Sequence, residues 1–230
     1  MHADDTPDRP VIRQQPHGQG LAWLAAGWSC FKRRWQPLAV LSSGMLILLW
    51  LLNPKGGILF PILATLYLGT VAAYRRMDEQ GEAFLAGSGV WRNPTMWALA
   101  IALTIVGAFQ VALVAGIAAG TVMTGFYGGN GAHFGRGLFY AFAAAQLVLT
   151  LVLSTFWLAP ALVATRGMGV LQALRLSVVG SILNPLPFLT VFVLGAILLF
   201  LASIPLGLGL VVAMPVLACA AARAAEDIVA

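Results

Sequence analysis

Residues 27–52, "GWSCFKRRWQPLAVLSSGMLILLWLL", join a tryptophan-rich cationic segment to a long apolar run. Three consecutive cations occupy positions 32–34, and no charged residue occurs in 38–52. A helix that crosses a bilayer needs about 20 apolar residues, and Lys and Arg concentrate on the cytoplasmic side of such helices. The stretch therefore predicts a membrane-spanning helix that the chain enters from the cytoplasm.

The composition of the whole chain is that of an integral membrane protein. The 230 residues are 60% hydrophobic and 9% charged, with a mean hydropathy of +0.89. A soluble domain carries roughly 25% charged residues, so this chain lacks the side chains to cover a water-exposed surface. The net charge of +5 rests on only 13 cations, and because they lie beside apolar segments we predict no nucleic-acid partner.

Six apolar segments approach the length of a membrane span. Helices are expected, because a bilayer leaves backbone groups no partner outside a helix or a closed barrel. We predict an all-α polytopic protein with one membrane domain over 18–230, which follows a disordered cytoplasmic tail over 1–17. The six predicted spans are residues 38–52, 58–74, 96–120, 138–159, 186–203 and 206–222.

The distribution of cations predicts the orientation. With six spans both termini lie on one side, and that side holds every Lys and Arg except Lys55 and Arg136. Cationic loops stay in the cytoplasm. We therefore predict a multi-pass protein of the bacterial inner membrane with cytoplasmic N- and C-termini, whose topology is anchored by Lys32, Arg33, Arg34, Arg75 and Arg76.

An internal repeat is indicated by an Asn-Pro or Gln-Pro pair before the first, third and fifth spans. The prolines are Pro37, Pro94 and Pro185. Proline fixes φ and restricts the residue before it, so each pair predicts a corner at which the chain turns into the bilayer. The repeated unit is an amphipathic cytoplasmic helix at the membrane interface, a corner and a helical hairpin, which gives three parallel repeats.

The first interfacial helix is predicted over residues 18–36. Its apolar side chains recur every three or four residues and include Trp28, Phe31 and Trp35. Tryptophan concentrates at the headgroup level of membranes. We expect these three side chains to face the lipid.

Four segments carry a resemblance to a known family: "GLAWLAAGWSCFKRRW", "NPKGG", "GVLQALRLSVVGSILNP" and "MPVLACAAARAAEDI". The chain resembles an uncharacterised family of small six-span bacterial inner-membrane proteins, similar to the membrane domain attached to some glycerophosphodiester phosphodiesterases. The resemblance implies a fold and a location. It implies no activity and no catalytic residue, and the soluble phosphodiesterase domain has no counterpart in this sequence.

No catalytic or cofactor site is predicted. The middle of each predicted span lacks ionisable residues, which are the usual mark of chemistry inside a membrane. The histidines His2, His17 and His133 form no cluster, and Cys30 and Cys219 lie far apart with no metal-ligand spacing. The cations after Cys30 favour its thiolate, although an inert packed side chain is the preferred interpretation.

Two amides, Gln110 and Gln146, lie at depth in the third and fourth predicted spans. Their similar level predicts a hydrogen bond across the hairpin. The alternative is a polar ring that binds a substrate.

We therefore expect a non-enzymatic membrane protein that binds or organises lipids, anionic lipids among them, or an unknown membrane-protein partner at the cytoplasmic leaflet. The alternative is a transporter of a small solute or lipid, in which Pro61 and Pro215 break their spans and open a polar cavity.

Overall fold

The computed structural model describes residues 11–52, 56–80, 89–127 and 131–229, with side chains except at 56–58, 77–80, 109, 111–114, 117, 119–127, 131–139 and 142. The described part is all-α, as predicted, and it contains no β-strand. The helices are α1 Gln19–Arg33, α2 Trp35–Leu51, α3 Gly56–Gln80, α4 Gly89–Arg92, α5 Pro94–Tyr127, α6 Gly131–Ser154, α7 Ala159–Arg166, α8 Val170–Leu183, α9 Pro185–Ser203 and α10 Leu210–Ile228. A 3₁₀ turn at Thr155–Leu158 joins α6 to α7.

Helix α10 lies at the centre of the fold. It contacts α1, α2, α3, α7 and α9, and its alanine-rich sequence lets these helices approach closely. One apolar cluster surrounds Trp23 and Ile228. A second cluster surrounds Phe31, Tyr67 and Cys219.

Small residues make the closest helix contacts. A Cβ added at Gly27 of α1 would clash with the Val216 carbonyl oxygen and meet the Ala220 Cβ at 3.2 Å. At Gly20 the added atom would lie 2.6 Å from the Pro187 carbonyl oxygen. Close approach through glycine and alanine is the packing that membrane helices use, because lipid offers them no hydrophobic incentive to bury large side chains.

Large apolar side chains cover much of the outside. On α9, Leu189, Val193, Ile197 and Phe200 are all exposed. A contiguous apolar surface of this kind marks an interaction site or a membrane-facing surface. Large side chains are buried as well, Trp23, Leu66 and Leu158 among them, so the exposed apolar side chains of α9 add to a core that is already apolar.

The number of spans differs from the prediction of six. Within the described residues two helical stretches, Ala143–Arg166 and Pro185–Ser203, are long and apolar enough to cross a membrane. A third is added if α1 and α2, which meet at a bend of 100°, count as one broken span. The first stretch overlaps predicted span 138–159 over residues 143–159, and the second contains predicted span 186–203.

The other predicted spans lie in helices of different lengths. Span 38–52 lies almost wholly in α2, which has 17 residues. Span 96–120 lies in α5, which continues to Tyr127, and Pro94–Ala108 is its described apolar stretch. Span 58–74 lies in α3, which continues beyond it through Arg75 and Arg76.

Span 206–222 also differs from its prediction. Leu206 and Gly207 form a left-handed turn, with φ of 53° and 79°, and α10 begins only at Leu210. Its last turns carry Arg223, Glu226 and Asp227. Because of these three charged residues, α10 does not count as an apolar helix by composition.

A helix break stands at each predicted corner. Pro94 and Pro185 are the first residues of α5 and α9, where proline is tolerated because that N–H needs no helical partner. Pro37 is the third residue of α2, and the break lies at Arg34, with φ −133° and ψ 43°.

The predicted disordered tail is wrong for its described part, residues 11–17. Ile12 forms an isolated antiparallel bridge with Val229, and the Arg13 N–H donates to the Ile228 carbonyl at 2.8 Å. The Gln15 side chain donates to the Asp227 carbonyl at 2.6 Å. The two described ends of the chain therefore lie side by side; residues 1–10 are outside the described part.

Candidate functional site

The cationic corner consists of Trp28, Lys32, Arg33, Arg34 and Trp35, at the junction of α1 and α2. All five side chains are exposed. Lys32 Nζ lies 5.8 Å from the centroid of the Trp28 ring, within the range of a cation–π contact. Exposed tryptophans beside exposed cations suit the boundary between lipid tails and anionic headgroups.

The predicted lipid-facing stripe of α1 is only partly outside the protein. Trp28 and Trp35 are 46% and 55% exposed, but Phe31 is only 8% exposed and packs in the cluster with Tyr67 and Cys219. The face that α1 turns to the protein is Gly20, Trp23, Gly27 and Phe31.

The predicted anchors Arg75 and Arg76 have different environments. Arg75 is buried, forms an ion pair with Glu226 at 2.9 Å and donates to the Cys219 carbonyl at 3.2 Å. Arg76, the next residue, is exposed. Arg75 therefore holds α3 to α10, and only Arg76 is available to a partner outside the protein.

A carboxylate cluster at Asp227 was not predicted from the sequence. Asp227 accepts hydrogen bonds from Trp23 Nε1 at 2.9 Å and Gln19 Nε2 at 3.2 Å, and it pairs with Arg223 at 3.1 Å. Asn184 Oδ1 accepts the Gln15 N–H at 2.6 Å. The Asp227 carboxylate thus joins α1 to α10, and Gln15, which also donates to the Asp227 carbonyl, connects α10 to the corner before α9. Its acceptors are satisfied by local donors, so its role is structural.

The two amides that were predicted to lie within the membrane, Gln110 and Gln146, meet through a third residue. Gln110 Nε2 donates to Thr150 Oγ1 at 3.3 Å, and Gln146 Nε2 donates to the same oxygen at 3.5 Å. The cross-hairpin bond thus joins Gln110 to Thr150, and the two glutamines share that partner. Both contacts are long, and Thr150 had no signal in the sequence beyond its place one turn after Gln146.

Two apolar cavities flank Trp157, which lines both. The first, of about 290 Å³, lies between α9, α10 and the 3₁₀ turn, with Phe188, Phe192 and Leu217 in its wall. The second, of about 250 Å³, lies between α3, α5 and α7, with Pro61 and Leu103 in its wall.

The lining of these cavities determines which ligands they suit. Apart from the Trp157 ring nitrogen, the only polar side chain lining the first cavity is that of Ser154. Trp157 Nε1 is itself buried and makes no hydrogen bond among the described residues. Helices α3 and α10 continue through Pro61 and Pro215, so neither proline opens a polar break. These cavities suit hydrocarbon and do not suit a polar solute.

Among the described residues no three His, Cys, Asp or Glu side chains are grouped to hold a metal ion. Comparison with protein families, curated proteins and solved structures gives no match to this chain. The resemblance to the six-span family stays a prediction.

Proposed function

We propose that this protein is a membrane-embedded helical protein that binds anionic lipids at one leaflet through the cationic corner. The observation that carries the proposal is the exposed group of Lys32, Arg33, Trp28 and Trp35. Within the described residues neither Lys32 nor Arg33 has a carboxylate partner, whereas Arg75 and Arg223 are engaged with Glu226 and Asp227. The unpaired charges remain available to phosphate headgroups.

The two apolar cavities beside Trp157 support a lipid ligand over a polar solute. An acyl chain matches walls made of phenylalanine, leucine and tryptophan. A pathway for a polar solute would need polar side chains at depth. We therefore favour lipid binding, and lipid transport is the second candidate because the same cavities would hold a moving acyl chain.

The side-by-side ends of the chain support a topology with both ends on one side of the membrane. The bridge between Ile12 and Val229 supports an even number of crossings. We place these ends in the cytoplasm of a bacterial cell, on the side of the cationic corner.

The test compares two double variants that remove the same charge. K32Q/R33Q changes the cationic corner, and R92Q/R175Q changes two exposed arginines elsewhere. Each cation near an anionic surface contributes about 1 kcal/mol, so two predict about a thirtyfold loss of affinity. Native mass spectrometry of the detergent-purified protein measures binding of phosphatidylglycerol against phosphatidylcholine.

The expected result is a loss of phosphatidylglycerol preference in K32Q/R33Q and a much smaller change in R92Q/R175Q. Equal losses of phosphatidylglycerol preference in the two variants would show that only net charge matters and would refute a site at the corner. An unchanged preference in K32Q/R33Q would refute the proposed function.

A further inference from the structure

The two cysteines of the chain meet inside the fold. Cys30 Sγ and Cys219 Sγ lie 2.8 Å apart although the residues are separated by 189 positions. Cys30 is in the last turn of α1 and half-buried, and Cys219 is buried in α10. A disulfide bond has a sulfur–sulfur distance of about 2.05 Å. Closing this gap needs only a small side-chain movement.

The backbone around the pair holds it in place. Gly27, one turn before Cys30, lies against the Val216 carbonyl and Ala220, so α1 and α10 touch at the level of the two sulfurs. The Cys219 carbonyl accepts a hydrogen bond from Arg75 at 3.2 Å. The sulfur contact is therefore a product of the helix packing and not of a flexible loop.

We propose that Cys30 and Cys219 are a covalent modification site, a thiol pair that a small-molecule disulfide converts reversibly into an intramolecular disulfide. The bond fixes α1, and with it the start of the cationic corner, to α10. This inference does not depend on lipid binding.

The reaction is a thiol–disulfide exchange in two steps. The Cys30 thiol loses its proton, and its sulfur attacks a disulfide RSSR, which forms the mixed disulfide Cys30–S–SR and releases one RS⁻ that is protonated to RSH. The Cys219 thiol then loses its proton, and its sulfur attacks Cys30 Sγ and displaces the second RS⁻. The two cysteines lose two protons and two electrons, and RSSR is reduced to two RSH.

The surroundings assign the order of the two steps. Cys30 is half-buried, and so the more accessible of the two cysteines, and it is followed by three exposed cations, Lys32, Arg33 and Arg34, which favour a thiolate. Cys219 is fully buried and reaches no external reagent. Cys30 is therefore the attacking thiol, and Cys219 resolves the mixed disulfide.

The experiment uses the full chain in detergent micelles, with glutathione disulfide as the oxidant. Samples are acid-quenched, denatured, and alkylated with a polyethylene-glycol maleimide, and the gel shift counts the remaining thiols. Intact mass detects the loss of two hydrogens or the gain of glutathione. The variants C30S and C219A are treated in parallel, and size-exclusion chromatography checks that each is folded.

The wild type is expected to lose both thiols together, without a glutathione adduct, and to recover both on reduction. C219A is expected to accumulate the glutathione adduct at Cys30, whereas C30S keeps an unmodified Cys219. The proposal is overturned if folded wild type retains both thiols, carries a lasting adduct, or forms only covalent dimers. Because no lipid is present, these outcomes do not bear on the proposed function.

Discussion

Replacing Asp227 with alanine tests the link between α1 and α10. Asp227 accepts from Trp23 Nε1 at 2.9 Å and from Gln19 at 3.2 Å, and Trp23 is 1% exposed. The D227A variant leaves the Trp23 N–H buried without an acceptor. A hydrogen bond to a charged group contributes about 1.5–3 kcal/mol, and an unsatisfied buried donor costs a similar amount.

The Arg223 side of the same cluster serves as the control. Arg223 is 45% exposed and lies one helical turn before Asp227, and such surface pairs contribute roughly 0–1 kcal/mol. We expect D227A to lower the free energy of unfolding by about 3 kcal/mol and R223Q by less than about 1 kcal/mol. D227N keeps an oxygen acceptor for Trp23 and is expected to fall between them.

Unfolding by sodium dodecyl sulfate in mixed micelles, followed by tryptophan fluorescence, measures the three variants under one condition. Equal destabilisation of D227A and R223Q would show that the Trp23 bond contributes little and would refute the reasoning. Increased stability of D227A would refute it as well.

Three further predictions concern packing, ion pairing and the intramembrane amides. Gly27→Ala is expected to lower the free energy of unfolding by about 1–3 kcal/mol, because the added Cβ meets the Val216 backbone. Gly44→Ala, whose Cβ meets nothing within 4 Å, is expected to change it by less than about 1 kcal/mol in the same titration. Similar losses in the two variants would contradict the close α1–α10 contact. Arg75→Gln is expected to cost about 1.5–3 kcal/mol, because it removes the cation 2.9 Å from Glu226 and leaves only Arg223 at 3.9 Å. Arg76→Gln is expected to cost less than about 0.5 kcal/mol, and equal midpoints of thermal unfolding would disprove the difference between the two arginines. Gln110→Leu removes one long bond to Thr150 and is expected to cost only about 0.6 kcal/mol, so a loss above about 2 kcal/mol would indicate a larger role for that amide.

Two helix starts follow from local sequence and elementary proline chemistry. Pro94 and Pro185 begin helices because proline cannot continue the helix before them. The exact corner near Pro37 was less predictable. The break falls at Arg34, where no single residue type dictates the backbone.

The faces of the helices were predicted less well than the helices themselves. On α8, Leu171 and Ile182 are 83% and 65% exposed, whereas Ala173, Ser177 and Gly180 face the protein. Apolar periodicity identifies a helix. It does not show which face packs on the protein when the surroundings of both faces are apolar.

Contacts between distant residues had no sequence signal at all. The Asp227 carboxylate, the Arg75–Glu226 pair and the Cys30–Cys219 pair each join residues more than 140 positions apart. Nothing in the local pattern around these residues indicates their partner. Their geometry arises only when α10 is placed at the centre of the fold.

Accessibility of α9 in native membranes tests most directly the claim that lipid covers the exposed apolar side chains. A single cysteine replaces Val193, 44% exposed near the middle of α9, or the exposed Arg175 on α8, in a C30A/C219A background. If lipid surrounds α9, a membrane-impermeant maleimide labels R175C in opened vesicles and leaves V193C unlabelled until detergent is added. Labelling of V193C as fast as R175C in membranes would contradict the account.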